Sequence, residues 1–127
     1  MRPDDVAARL AFALDAGDEI ALAGLLDPEV RLTIDTGDAA GGERSGRAAV
    51  ARALAAQMAR HPDVTVQVAH VNGAPGLVLR PQGGGVSGLV SLCTGWRGSV
   101  VELWLVTAPG KLAHWDRVSG SGRRCHR

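Results

Sequence analysis

The sequence predicts an α+β domain in which three helices pack on one face of a curved antiparallel sheet. Three observations carry that expectation. Residues 10–30 read as helix, one-residue break, helix, turn and the start of a strand. A third amphipathic segment follows, ending at His61-Pro62-Asp63. Beyond Pro62 the apolar period drops from 3.6 to 2, as a meander of strands requires.

The first helix is expected over Pro3 to Ala16. Val6, Leu10, Ala13 and Leu14 form one stripe at helical spacing, and proline suits a first-turn position where its missing N–H is not needed. Gly17 ends it, because glycine accepts the left-handed conformation that closes a helix. Asp18 then caps a second helix to about Leu26, with Ile20, Leu22, Leu25 and Leu26 expected inward. Asp27-Pro28 stops that helix. Helices this short do not persist alone, so both must lie on a sheet.

The first strand is expected from Val30 to Thr36, with Val30, Leu32 and Ile34 on one face and Arg31, Thr33 and Asp35 on the other. Gly37 to Ser45 reads as a flexible loop. Ser45 or Gly46 opens the third helix, which carries Val50, Leu54 and Met58 to about Arg60. Val64 to Val71 and Gly76 to Arg80 form a hairpin around Asn72-Gly73. In it Val64, Val66 and Val68 share a face with His70 and Asn72. After Gln82-Gly83-Gly84-Gly85, a long strand over Val86–Trp96 turns at Arg97-Gly98 into a closing strand, Ser99–Thr107. Lys111–Trp115 adds a short helical turn. The expected organisation is one domain over residues 1–115 and a flexible tail over 116–127.

Bulk properties narrow the function classes. The chain has 127 residues, enough for one domain with a real core, and a formal net charge of +1. The basic cluster Arg123-Arg124-Cys125-His126-Arg127 reads as a solvated tail, so direct nucleic-acid binding is not expected. No apolar run reaches the roughly 20 residues of a membrane span, and Asp4-Asp5 does not suit a signal peptide, so the expected location is the cytoplasm. Cys93 and Cys125 are then expected as free thiols. The histidines show no ligand spacing with them, and no metal or other cofactor is expected. Gly83 to Gly85 lack the strand–loop–helix setting of a phosphate loop, and no Ser-His-Asp order supports a hydrolase.

The pattern Leu10…Gly17-Asp18…Leu22…Leu25-Leu26…Val30 resembles the opening of SnoaL-like proteins in the nuclear transport factor 2-like superfamily. Val71-Asn-Gly-Ala-Pro-Gly-Leu-Val-Leu79 and Ala108-Pro-Gly-Lys-Leu112 further resemble the carboxy-terminal domain of extracytoplasmic-function sigma factors. There the first segment reads Val-Asn-Gly-Ala-Pro-Ala. The likeness covers about residues 8–114. It implies a cone-shaped fold with a cavity, expected here between helix one and the sheet, where a small apolar molecule would bind. Promoter recognition is not expected, because nothing ahead of Met1 resembles the promoter-binding domains.

Within that resemblance, Asp35 is the candidate general base. Pocket carboxylates abstract protons from carbon acids in the isomerases and cyclases of the superfamily, helped by desolvation. The plain alternative is that Asp35 accepts N–H bonds from its own loop. His70 and Asn72 are candidate ligand-binding groups, as are Met58 on helix three and Trp96 with Trp104, expected on adjacent strands. The chain has no tyrosine, so no tyrosine hydroxyl can stabilise an enolate. Three functions follow as alternatives. They are a non-catalytic small-molecule-binding domain related to the sigma-factor regulatory domain, a cyclase or isomerase using Asp35, and a protein-interaction module. A homodimer through the sheet is expected, with Val101 and Leu103 or Val90 and Leu92 supplying apolar contact.

Overall fold

The computed structural model describes residues 3–39, 41–71 and 73–108. Their order is α1 (Pro3–Ala16), α2 (Glu19–Leu25), β1 (Leu26–Asp35), β2 (Gly42–Ser45), α3 (Arg47–Arg60), β3 (Thr65–Val71), β4 (Ala74–Arg80), β5 (Gly88–Thr94) and β6 (Val100–Val106). The α+β reading holds. The short helix expected over Lys111–Trp115, the tail after it and Asn72 lie outside the described residues.

The break between α1 and α2 is built as the sequence indicates. Gly17 sits at φ +65°, its N–H bonds Leu14 O at 3.1 Å, and the Asp18 N–H bonds Ala13 O at 3.0 Å. That pair of bonds consumes the carbonyls a helix leaves open at its end. Asp18 then turns round to serve the next helix, its Oδ1 accepting the Ala21 N–H at 3.0 Å. With only seven residues, α2 buries Leu22 alone and leaves Ile20 87% exposed, against the expectation that Ile20 faces inward.

The first strand begins at Leu26, four residues earlier than the β-branched run suggests. Leu26 pairs with Val100 and Arg31 with Glu102, so the register slips between them and the Asp27–Val30 stretch is irregular. A proline, with no N–H to give a ladder, fits such a stretch. Residues 42–45, expected as loop, form β2 on the outer side of β1, Leu32 facing Arg44 and Thr33 facing Glu43. All four residues of β2 are exposed, so no buried side chain marks the strand in the sequence.

The six strands make one sheet in the order β2-β1-β6-β5-β4-β3. Every neighbouring pair is antiparallel except β1 and β6, which run parallel. The purely antiparallel sheet expected from the meander is corrected at that one junction, where the opening strand slots in beside the closing one.

The helices cover one face of the sheet. Val6, Leu10 and Leu14 of α1 and Val50 and Leu54 of α3 form a single core with Leu32, Leu77, Val90, Leu92, Leu103 and Leu105. Among the described residues the space between α1 and the sheet is therefore packed with leucine and valine, in place of the hollow expected there. It also places Val90, Leu92 and Leu103 on the helix side, where they cannot supply the apolar contact of a sheet-mediated dimer. On the opposite, convex face a smaller apolar cluster joins Val71, Val78 and Leu89. Cys93 belongs to that face by alternation, and is disulfide-bonded rather than the free thiol expected.

Candidate functional site

Because β1 and β6 are parallel, their C-terminal ends lie together. The Thr107 N–H bonds Asp35 O at 2.8 Å and places Thr107 beside Thr36. The end of β4 and the approach to β5 reach the same edge, tied by the Ser87 N–H to Leu79 O at 2.8 Å. The last turn of α3 overhangs this edge and β2 flanks it. Between them opens a cleft of about 690 Å³. This is the concave side of the sheet at the mouth of the cone.

The cleft has two chemical zones. Ile34, Met58, Val64 and Leu79 give it an apolar floor continuous with the core. Arg44 from β2, Gln57 and Arg60 from α3, and His61 and Asp63 from the following loop give it a polar rim. Several rim and wall groups are already engaged. Thr36 donates its hydroxyl to Asp38 Oδ1 at 2.6 Å, and Ser87 donates to Leu79 O at 3.3 Å. Arg60 Nη2 donates to Gln57 Oε1 at 2.8 Å.

Of the described candidates expected from sequence, only Met58 lines this cleft. Asp35 lies between Ile34 and Thr36, which line the cleft, but strand alternation turns it to the convex face. Its Oδ1 accepts the Gly37 N–H at 3.1 Å, closing its own loop. Asp35 therefore does not line this cleft, and the bond to Gly37 is of the kind that the loop-closing alternative describes.

His70 is exposed and pairs in register with Pro75, at the far end of the β3–β4 hairpin. Six residues of strand separate it from Val64, about 20 Å at 3.3 Å per residue. Trp96 lies in the turn after β5, 82% exposed, with the Arg97 guanidinium 4.9 Å from its ring centre. Trp104 pairs with Thr33 and Ser91 on the convex face and is 8% exposed. The two indoles thus do not sit on adjacent strands, because the turn claims Trp96. Asn72 lies outside the described residues.

Sequence reasoning missed Arg44, Arg60, His61, Asp63 and Thr107. His61-Pro62-Asp63 was legible only as a helix stop. A smaller cleft of about 550 Å³ lies behind it, between the α1–α2 junction and α3, and shares Met58, His61 and Val64 as a common wall.

No protein-family model and no curated relative matches the sequence. Solved structures do match in shape. The extracytoplasmic function sigma factor SigJ of Mycobacterium tuberculosis superposes with a TM-score of 0.66 at 26% identity, over 87% of this chain and 44% of SigJ. IdmH, a candidate polyketide cyclase from Streptomyces antibioticus, gives 0.63 at 21% identity, over 93% of this chain and 100% of IdmH. A SnoaL-like protein of unknown function from Burkholderia thailandensis gives 0.61 at 16% identity, over 80% and 89%.

The fold is nuclear transport factor 2-like, of the SnoaL type. The motif resemblance and the topology agree on it. Its helices cover one face of the sheet, and the cleft lies on the α3 side.

Proposed function

We propose that the chain is a non-catalytic small-molecule-binding domain that takes its ligand in the cleft between α3 and the concave sheet. The cleft of about 690 Å³ carries this reading, since it falls within the usual volume of small-molecule sites and has an apolar floor under a few polar groups. The likeness to SigJ supports a regulatory rather than a catalytic use. The cyclase alternative draws less support, because Asp35 does not line this cleft and its Oδ1 accepts a bond from its own loop.

Thermal denaturation with a panel of neutral and acidic aromatic and isoprenoid compounds tests the proposal. A ligand that binds only the native state at ten times its Kd adds about 1.4 kcal/mol, or roughly 5 °C for a domain of this length. Ser87→Phe and Met58→Trp, which fill the cleft from opposite walls, are expected to abolish the shift. A panel without any hit, or hits unaffected by both plugs, would remove the proposal.

A further inference from the structure

We propose that the ligand of this cleft is an organic anion, an apolar body bearing a carboxylate, with Arg44 and Arg60 holding the charge. The inference rests on the binding reading above and adds the chemical class. The two arginines come from different elements, β2 and α3, and the fold brings them to one cleft. Neither has a carboxylate partner among the described residues, where the ion pair is Arg31 with Glu102 on the convex face.

What each arginine does bond leaves most of its capacity unspent. Arg44 Nη1 donates to Glu43 O at 3.0 Å, and Arg60 Nη2 donates to Gln57 Oε1 at 2.8 Å. A guanidinium has five N–H donors in a planar fork, shaped to meet both oxygens of one carboxylate. Cationic forks on the rim and Ile34, Met58, Val64 and Leu79 on the floor select for an amphipathic anion over a neutral oil. Asp63 opposes this from the same rim and Asp38, bonded to the lining Thr36, adds a second carboxylate nearby, so the selection rests on the arginine forks and not on net charge.

Both arginines are exposed, so solvent and salt screen the attraction. The expected gain is therefore modest, about two- to fivefold per arginine. The closing experiment is calorimetric titration of the 127-residue chain with naphthalene-2-carboxylate and, separately, naphthalene-2-carboxamide. The two probes share one apolar body and differ in charge. The carboxylate is expected to bind roughly tenfold tighter than the amide, with the advantage shrinking at high salt.

Arg44→Gln and Arg60→Gln should each weaken the carboxylate and leave the amide unchanged. Asp63→Asn should tighten the carboxylate about twofold, a gain that no loss of structure can imitate. Equal binding of the two probes, or arginine variants that lower both alike, overturns the anion inference and leaves cleft binding in place. If neither probe binds, the inference falls. The cleft reading falls with it only when the wider thermal panel is also silent.

Discussion

Single residues show where the sequence speaks plainly and where it is mute. Asp18 and Gly17 were legible because their partners lie within five residues. Asp15 was not, because its partner is 51 residues away: its Oδ1 accepts the Val66 N–H on edge strand β3 at 3.0 Å. A carboxylate in a helix's last turn opposes the helix dipole, so that bond must offset a local penalty. Asp15→Ala should cost about 1–2 kcal/mol, read as a lower denaturant midpoint at unchanged slope. Asp15→Asn keeps the acceptor oxygen and sheds the charge, so its midpoint should stay near wild type. Gly76 was equally hard to read, because the close approach that requires a glycine there is made by residues on neighbouring strands. A Cβ on Gly76 would lie 2.6 Å from Val90 O and 2.9 Å from Val71 Cγ2. Gly76→Ala should therefore destabilise by about 1–3 kcal/mol, whereas an ordinary exposed substitution would change little. An unchanged melting temperature would show that β4 and β5 can part to admit the methyl group.

At the scale of elements, what the sequence conveyed was periodicity, and what it withheld was anything held by backbone alone. The amphipathic stripe of α1 and the alternation of β4 to β6 are burial patterns, so they could be read. The strand β2 has no buried side chain and pairs with β1 through main-chain bonds, so Gly41-Gly42 dominated its reading and gave a loop. Its Glu43 and Arg44 suit an edge, where charge discourages further pairing. The junction between α3 and β1 was equally silent. Arg47 Nε donates to Leu26 O at 3.0 Å, pinning the first turn of α3 to the point where α2 hands over to β1. Loss of that partly buried bond in Arg47→Ala should cost about 1 kcal/mol, roughly 4 °C in thermal melts. Near-native melting would mean that water replaces the guanidinium without penalty.

At the scale of the whole molecule, the candidate site was illegible for a topological reason. Its polar lining gathers residues 36, 44, 57, 60, 61, 63, 87 and 107, short pieces that no local pattern links. Only the parallel seating of β1 on β6 and the overhang of α3 make them neighbours. The same seating decides what a sheet-mediated homodimer would require. Val90, Leu92 and Leu103 serve the core, so two chains would have to meet through the convex alternation that carries Arg31 and Glu102, paired at 3.8 Å. Sedimentation at micromolar concentration showing a single 13.2 kDa species would overturn that dimer proposal. The division between solid core and open mouth gives the last prediction. Leu10 of α1 is fully buried and belongs to the core that α1 forms with the sheet. Leu10→Ala should cost about 2–5 kcal/mol, because the removed methyl groups leave a cavity that the packed core around it fills only in part. Ser87→Phe, at the mouth, adds a ring to space that is already open and should melt within a few degrees of wild type. Were Leu10→Ala harmless, α1 would be loosely seated and a guest could lie beneath it, which would restore the hollow expected from the family resemblance.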